Sequence, residues 1–404
     1  MKVSLVAAVS ATLASLASAQ NSTGYATSTG YATSTGNATP TGSANSTGSA
    51  NSTRYADGLL RILSSEENLT TLTSLVTANA ATLLPFLQDG NRTFFAPSDS
   101  AFAALPENVT SNESLVAATL MYHIYYGVYY PSLSEKHTIA RSVLNSSTYV
   151  NLPSNASQVA VFNQSGVLLQ ATSNANTTKI FTYENLDIHV IDEVLTIPGN
   201  LTAVATEAGL TSLTGALTQY AQSAIPALTS TKGITVFAPV DSAFESAASL
   251  IGTLNQTAIA DVLLNHVING TVVYSPLVAN GSNATSAGGA TLSFSTNSTG
   301  VFVKSGNSTA RIIRTDIPIE NGVVHLISNV LANPESNPQA AASAAASASR
   351  EAVNNTAAQT GGVTPTATGT GVRPSVSSGG TSGADKVAAG GLTALLAVGL
   401  AALL

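Results

Sequence analysis

Thr93-Phe94-Phe95-Ala96-Pro97-Ser98-Asp99-Ser100-Ala101-Phe102 returns in the same chain as Thr235-Val236-Phe237-Ala238-Pro239-Val240-Asp241-Ser242-Ala243-Phe244. The separation, about 140 residues, is far too long for a solenoid unit and matches the size of one globular domain. The chain therefore reads as two copies of one domain. In each copy the stretch is a short apolar β-run stopped by Ala-Pro. An Asp follows, placed to cap a helix whose first apolar anchor is Phe102 or Phe244.

Outward from the first corner, Leu59, Leu60, Ile62 and Leu63, then Leu69, Leu72, Leu75 and Val76, fall at helical spacing. Beyond it come a helical run over Leu115 to Met121 and the aromatic segment Tyr122 to Tyr130. A hairpin is expected around Val159 to Gln170, and a strand from Ile188 to Leu195. The second copy repeats the order, with helical Leu201 to Leu217, helical Ile259 to Leu264, a hairpin from Leu292 to Val303 and the run Val323 to Leu331. His123 and His266 keep nearly the same spacing as His189 and His325, so register holds through the whole unit.

Composition sets the limits. The 404 residues are 44% hydrophobic and only 9% charged, enough for two modest cores with non-globular flanks. A domain of about 140 residues buries roughly two thirds of its unfolded surface and folds without staples, which fits the absence of cysteine. The net charge of −7 and the lack of basic patches argue against nucleic acid as a partner.

The flanks point to export. Residues 1–19 have the charged start, apolar middle and Ala17-Ser18-Ala19 exit of a signal peptide. Residues 20–53 repeat a Ser/Thr/Gly-rich hexad and are expected to form an O-glycosylated stalk. Residues 336–378, rich in Ala, Ser, Gly and Thr, are expected to be a low-complexity linker in which Ala340 to Ala348 can be transiently helical but finds no partner. Small residues, a short polar spacer and the apolar run Val387 to Leu404 form the signal for a glycosylphosphatidylinositol (GPI) anchor. Ser378 is the expected attachment site, although Ser377, Gly379 or Gly380 satisfies the same rule, and 379–404 is the propeptide. That places the protein on the outer face of the plasma membrane or in the cell wall.

The corner, the Tyr122-His123 pair and His189-Val190-Ile191-Asp192-Glu193-Val194-Leu195 resemble the two boxed motifs and the Tyr-His motif of fasciclin-like domains. The resemblance covers about residues 55–196 and 198–335, with domain limits placed at 54–196 and 197–335. It implies an α+β fold: two tandem domains, each an antiparallel β-sandwich or wedge flanked by α-helices. It also implies adhesion or matrix contact at cell surfaces, as in the wall-associated, lipid-anchored members of fungi. Partners would then be cell-surface or matrix proteins or wall polysaccharide, with the membrane reached through the GPI lipid. The second copy departs from the motif at Asn265, in the place of Tyr122, and at Ser328, in the place of Asp192.

No residue set points to catalysis, a cofactor or a metal. Gly-x-Ser-x-Gly elbows, phosphate loops and clustered ligands are missing from the sequence. The paired histidines are expected to be buried side chains that hydrogen-bond the backbone, and Asp99 and Asp241 to be helix caps. Tyr122, His123, Tyr125 and Tyr126 are the expected contact surface if the aromatic segment is exposed. The alternative is that they are ordinary core aromatics. About twenty Asn-x-Ser/Thr sites, among them Asn68, Asn145, Asn155, Asn255 and Asn297, predict a sugar-coated surface. The reading is a non-enzymatic adhesion glycoprotein. The rival reading is a carbohydrate-active or ligand-carrying protein of the wall.

Overall fold

The computed structural model describes residues 47–354, apart from 107–108, 110, 130–136, 164–167, 170–173 and 280–282. The signal segment 1–19, most of the expected stalk, Tyr130, Ser378 and 379–404 lie outside the described residues. Everything described falls in one compact unit that contains both copies.

In copy one the helices Thr47–Ser64, Thr70–Ala78 and Ala80–Gln88 precede β1 (Arg92–Pro97). The short helix Asp99–Ala103 and the helix Glu113–Tyr122 come next. The strands are β2 (Ile124–Tyr126), β3 (His137–Arg141), β4 (Val159–Asn163), β5 (Leu168–Leu169), β6 (Asn174–Ala175), β7 (Thr177–Tyr183) and β8 (Leu186–Ile191). Copy two opens with the helices Leu201–Glu207, Thr211–Tyr220 and Ile225–Ser230 before β9 (Ile234–Pro239). After the helices Asp241–Ile251 and Gln256–Leu264 come β10 (Val267–Asn269), the helix Ser275–Ala279 and β11 (Asn283–Thr285). Then follow β12 (Thr291–Asn297), β13 (Gly300–Ser305), β14 (Ser308–Ile319), β15 (Gly322–Ile327) and the helix Pro338–Asn354.

Copy one has two four-stranded sheets, in the orders β2-β1-β8-β7 and β3-β4-β5-β6; copy two has one of seven, β10-β9-β15-β14-β13-β12-β11. The difference lies in one strand. β14 runs on through two register shifts, with Asp316 at φ 55°, where copy one breaks the same path into β6 and β7. Most pairings are antiparallel, but the corner strand pairs in parallel with the His-containing strand in both copies. Phe95 sits opposite His189, and Phe237 opposite His325. Apolar runs without polar alternation suit this, since such strands are covered on both faces.

Alternation along β1 and β8 separates two cores. Phe94, Ala96, Ile188 and Val190 pack with Leu59, Leu72 and Leu83 of the helices, whereas Phe95 and Ile191 pack with Val159 and Phe162 of the second sheet. Leu59, Leu63, Leu72, Leu83 and Leu87 are fully buried, each stabilising the fold by roughly 1.5–3 kcal/mol.

The copies are not independent beads. Val272, Tyr274 and Val323 of copy two belong to the same core cluster as Phe95, Tyr122 and Tyr125 of copy one. Hydrogen bonds cross the seam: Gln158 Nε2 donates to Ile319 O at 3.0 Å, Asn151 N to Glu320 O at 2.9 Å and Asn151 Nδ2 to Ser230 O at 3.0 Å. Gly233 permits the close approach. Its φ is 79°, and a Cβ there would stand 2.4 Å from Pro153 Cγ.

Three boundaries differ from the sequence expectation. The strand expected from Ile188 to Leu195 runs over Leu186–Ile191, and Val194 and Leu195 lie beyond its end in the closing segment. The first helix begins at Thr47, inside the stretch read as stalk, and Ser52 Oγ donates to Gln88 Oε1 at 3.2 Å. The larger correction concerns the Ala-rich stretch, read as a linker without partners. Residues 338–354 form a helix that packs on the Pro153–Asn155 turn of copy one and on β10 and β11 of copy two. Asn337 caps it through Oδ1, which accepts from Ala340 N at 3.0 Å, and Asn337 N donates to Gly288 O at 2.7 Å. Ala348 is buried, close to where a Cβ on Gly270 would lie. Small side chains allow this close contact, and it leaves no wide apolar stripe in the sequence.

Candidate functional site

The Tyr-His segment straddles the end of the helix Glu113–Tyr122 and the start of β2. Tyr122, His123 and Tyr125 are buried, and Tyr126 is half-buried beneath the guanidinium of Arg92, 4.6 Å from its ring centroid. The expectation of an exposed contact surface at Tyr122, His123 and Tyr125 is therefore corrected. These residues are core aromatics, because the helix end turns them between the two sheets. Tyr122 Oη donates to Val159 O at 2.9 Å, tying the helix to β4. Burial pushes the Tyr122 and Tyr125 phenols far up and Tyr129 to about 12, so all three stay neutral.

His123 is a clamp. Its Nδ1 donates to Thr119 O at 2.7 Å and its Nε2 accepts from Leu195 N at 3.0 Å. His266 repeats both bonds, to Val262 O at 2.7 Å and from Leu331 N at 2.9 Å. Each ring joins the end of a helix to the segment that closes its domain. Burial lowers both to about 4, so each imidazole is neutral near pH 7. His189 and His325 lie on the central strands, ring to ring with Phe95 and Phe237. His325 also accepts from Asp316 N through Nδ1 and bonds Val273 O through Nε2.

Asp99 and Asp241 do cap helices, but not their own. Ser98 takes the cap of the helix Asp99–Ala103, accepting from Ala101 N at 3.3 Å. Asp99 reaches instead to the helix Thr70–Ala78, whose N-cap residue Leu69 supplies no side-chain acceptor. It accepts from Thr71 N at 2.7 Å, Thr70 Oγ1 at 2.7 Å and Thr70 N at 3.2 Å. Asp241 does the same for the helix Thr211–Tyr220, accepting from Thr211 Oγ1 at 2.5 Å and Ser212 N at 2.9 Å. Burial pushes the Asp99 carboxyl up, but the Thr70 and Thr71 bonds outweigh it; the Thr211 bond leads in lowering Asp241.

The departures in copy two keep structural work. Asn265, in the place of Tyr122, donates through Nδ2 to Asn333 O at 2.9 Å and to Glu335 O at 2.7 Å, and accepts from Ser286 Oγ. It thus holds the exit segment leading to the helix Pro338–Asn354. Ser328 accepts from Arg311 N as Asp192 accepts from Asn176 N. Sequence reading singled out Asn265 only as a departure and missed Gln158; an amide at the edge of the apolar run Val159 to Phe162 was the available signal.

Among the described residues no group of three or more His, Cys, Asp or Glu could hold a metal ion, and no single helix is long and apolar enough to cross a membrane. Asn68, Asn145, Asn155, Asn255 and Asn297 are all exposed. Asn255 caps the helix Gln256–Leu264 through Oδ1, which accepts from Ala258 N at 2.8 Å. The cap does not use Nδ2, the atom that would carry sugar. Asn155 lies at the seam, its Oδ1 accepting from Lys232 Nζ at 3.3 Å.

Residues 67–198 and 208–333 each match the family model of the fasciclin domain. The chain is 27% identical over 288 residues to a fasciclin-like arabinogalactan protein of Arthroderma benhamiae, covering 69% of this chain and 67% of that one. It is 23% identical over 292 residues to the fasciclin-like arabinogalactan protein CTB11 of Cercospora beticola, covering 68% and 76%. It is also 23% identical over 285 residues to the fasciclin-like arabinogalactan protein elcF of Phaeosphaeria nodorum, covering 68% and 88%. Among solved structures, the fasciclin domain pair of the insect cell adhesion molecule fasciclin I is matched at 15% identity and a TM-score of 0.33, over 68% of this chain and 97% of that one.

Proposed function

This chain belongs to the fasciclin-domain family, and from that premise we propose that it is a non-enzymatic glycoprotein of the cell surface or cell wall that makes adhesive or matrix contacts. One observation carries the reading. In both copies the recurring polar residues are committed to scaffold bonds, His123 and His266 through both ring nitrogens and Asp99 and Asp241 through their carboxylates, while the sequon residues Asn68, Asn145, Asn155, Asn255 and Asn297 stand in solvent. A pair of rigidly joined domains offers a large sugar-bearing surface. The leader 1–19 exports it, a stalk shortened to 20–46 lies ahead of the first helix, and a GPI lipid at Ser378 holds it to the membrane. Its partners are surface or matrix proteins or wall polysaccharide.

The test is cell attachment. Cells displaying the full chain should adhere to wall or matrix preparations more than cells lacking it, and phosphatidylinositol-specific phospholipase should release both protein and adhesion. Turnover of wall polysaccharide by the purified chain, lost on His123→Ala or Asp99→Ala with folding intact, overturns the reading.

A further inference from the structure

We propose that the two copies carry equivalent grooves that bind an uncharged, largely hydrocarbon small molecule. The first groove, of about 280 Å³, lies among the helices Thr70–Ala78, Asp99–Ala103 and Glu113–Tyr122, and is walled by Leu75, Phe102, Leu105, Val116 and Leu120. The second, of about 260 Å³, lies among the helices Thr211–Tyr220, Asp241–Ile251 and Gln256–Leu264, and is walled by Ala216, Phe244, Leu254, Ile259 and Leu263. Phe102 and Phe244 hold matching places in the repeat.

A cleft half open to solvent recurs at the same place in both copies although different side chains wall it, Leu75 where copy two has Ala216 and Thr119 where it has Val262. Backbone placement, not a side-chain accident, therefore keeps it open. The pins are visible. Asp99 and Asp241 fasten the start of one helix to the corner, and His123 and His266 fasten the end of another to the closing segment. Helices held at these points do not slide together to fill the gap.

The lining selects the ligand. The buried polar groups at the walls are spent internally: Thr71 N and Ser212 N on the aspartates, Thr119 O on His123, and both nitrogens of His266 on backbone; Gln219 and Tyr220 bring polar side chains to the rim of the second groove. The grooves offer dispersion and desolvation, which reward hydrocarbon. Asp99 at the rim and a chain charge of −7 disfavour an anionic amphiphile. An apolar cavity of about 150 Å³ already takes benzene, so these grooves have room for a two-ring compound or its aliphatic equivalent. Sequons border both grooves, since Asp99 N donates to Asn68 O at 2.8 Å and Asn255 follows Leu254, but binding in the grooves does not depend on the adhesion reading.

The experiment titrates the full-length glycoprotein with the uncharged fluorescent probe N-phenylnaphthylamine. Two filling variants accompany it. Gly215 lines the second groove with open space where a Cβ would lie, and Ala103 is an exposed lining residue of the first, so Gly215→Leu and Ala103→Leu fill the grooves with the fold kept. The expected result is saturable binding of two probes per chain, one in either single variant, and binding at least about tenfold weaker in the double variant with an unchanged melting curve. No saturable binding, or binding that the double variant leaves intact, overturns the proposal. A sodium dodecanoate arm that displaces the probe as well as uncharged 1-dodecanol does overturns the assignment to uncharged ligands.

Discussion

Asp99 accepts the backbone N–H of Thr71 at 2.7 Å, so the carboxylate at the start of one helix caps another helix that precedes it in the chain. Asp241 repeats the bond with Ser212. Asp99→Ala should cost about 1 kcal/mol of stability in urea unfolding, within a span of roughly 0.5–2, and Asp99→Asn less, because an acceptor oxygen remains. Each carboxylate is lowered in the fold, so its stabilisation is complete above the unfolded carboxylate value of about 3.9. It is lost as pH falls through the folded value. Asp99→Ala should therefore narrow its deficit as pH falls below the unfolded value of about 3.9.

The buried histidines give a second, separable pH window. His123 and His266 lie at about 4 in the fold and at about 6.5 in the unfolded chain. Above about 6.5 neither state is protonated and they contribute no pH dependence. As pH falls from about 6.5 to about 4 the unfolded chain takes up protons that the fold refuses, so stability declines. His123→Gln should flatten that slope while lowering stability at pH 7. An unchanged slope in pH-resolved urea midpoints would contradict the assignment.

At the seam, Gly233→Ala asks for a Cβ at positive φ and against Pro153. It should destabilise by roughly 1–3 kcal/mol. Because Val272, Tyr274 and Val323 complete the copy-one core, the wild-type pair should unfold in one calorimetric transition, and Gly233→Ala should begin to split it.

Tyr122→Phe removes the bond to Val159 O and the interaction of its hydroxyl with that of Tyr125. The expected loss is about 1 kcal/mol of stability, read by thermal unfolding, with cell attachment per folded molecule unchanged.

Much of the fold was legible in the sequence. The repeated corner and the paired histidines set two domains in register, and the helical and hairpin runs fell where they were expected. The contacts between distant residues were not legible. Alternation cannot tell that Phe95 faces His189 in a parallel pair, because strands covered on both faces lose their alternation. A cap is a local signal, yet Asp99 serves a helix 28 positions away. The helix 338–354 docks through alanine and glycine, residues that leave no apolar periodicity. The Tyr-His segment could be read either as surface or as core, and only the second sheet beneath it decides for core.

The account's centre is that the recurring motif residues are scaffold and that contact lies on the sugar-bearing surface. The direct measurement compares attachment of cells displaying the wild-type chain, a variant with Asn68, Asn145, Asn255 and Asn297 changed to Gln, and Tyr122→Phe, at matched surface levels of folded protein. Attachment should fall in the sequon variant and hold in Tyr122→Phe. Attachment lost in Tyr122→Phe but kept in the sequon variant would contradict the account.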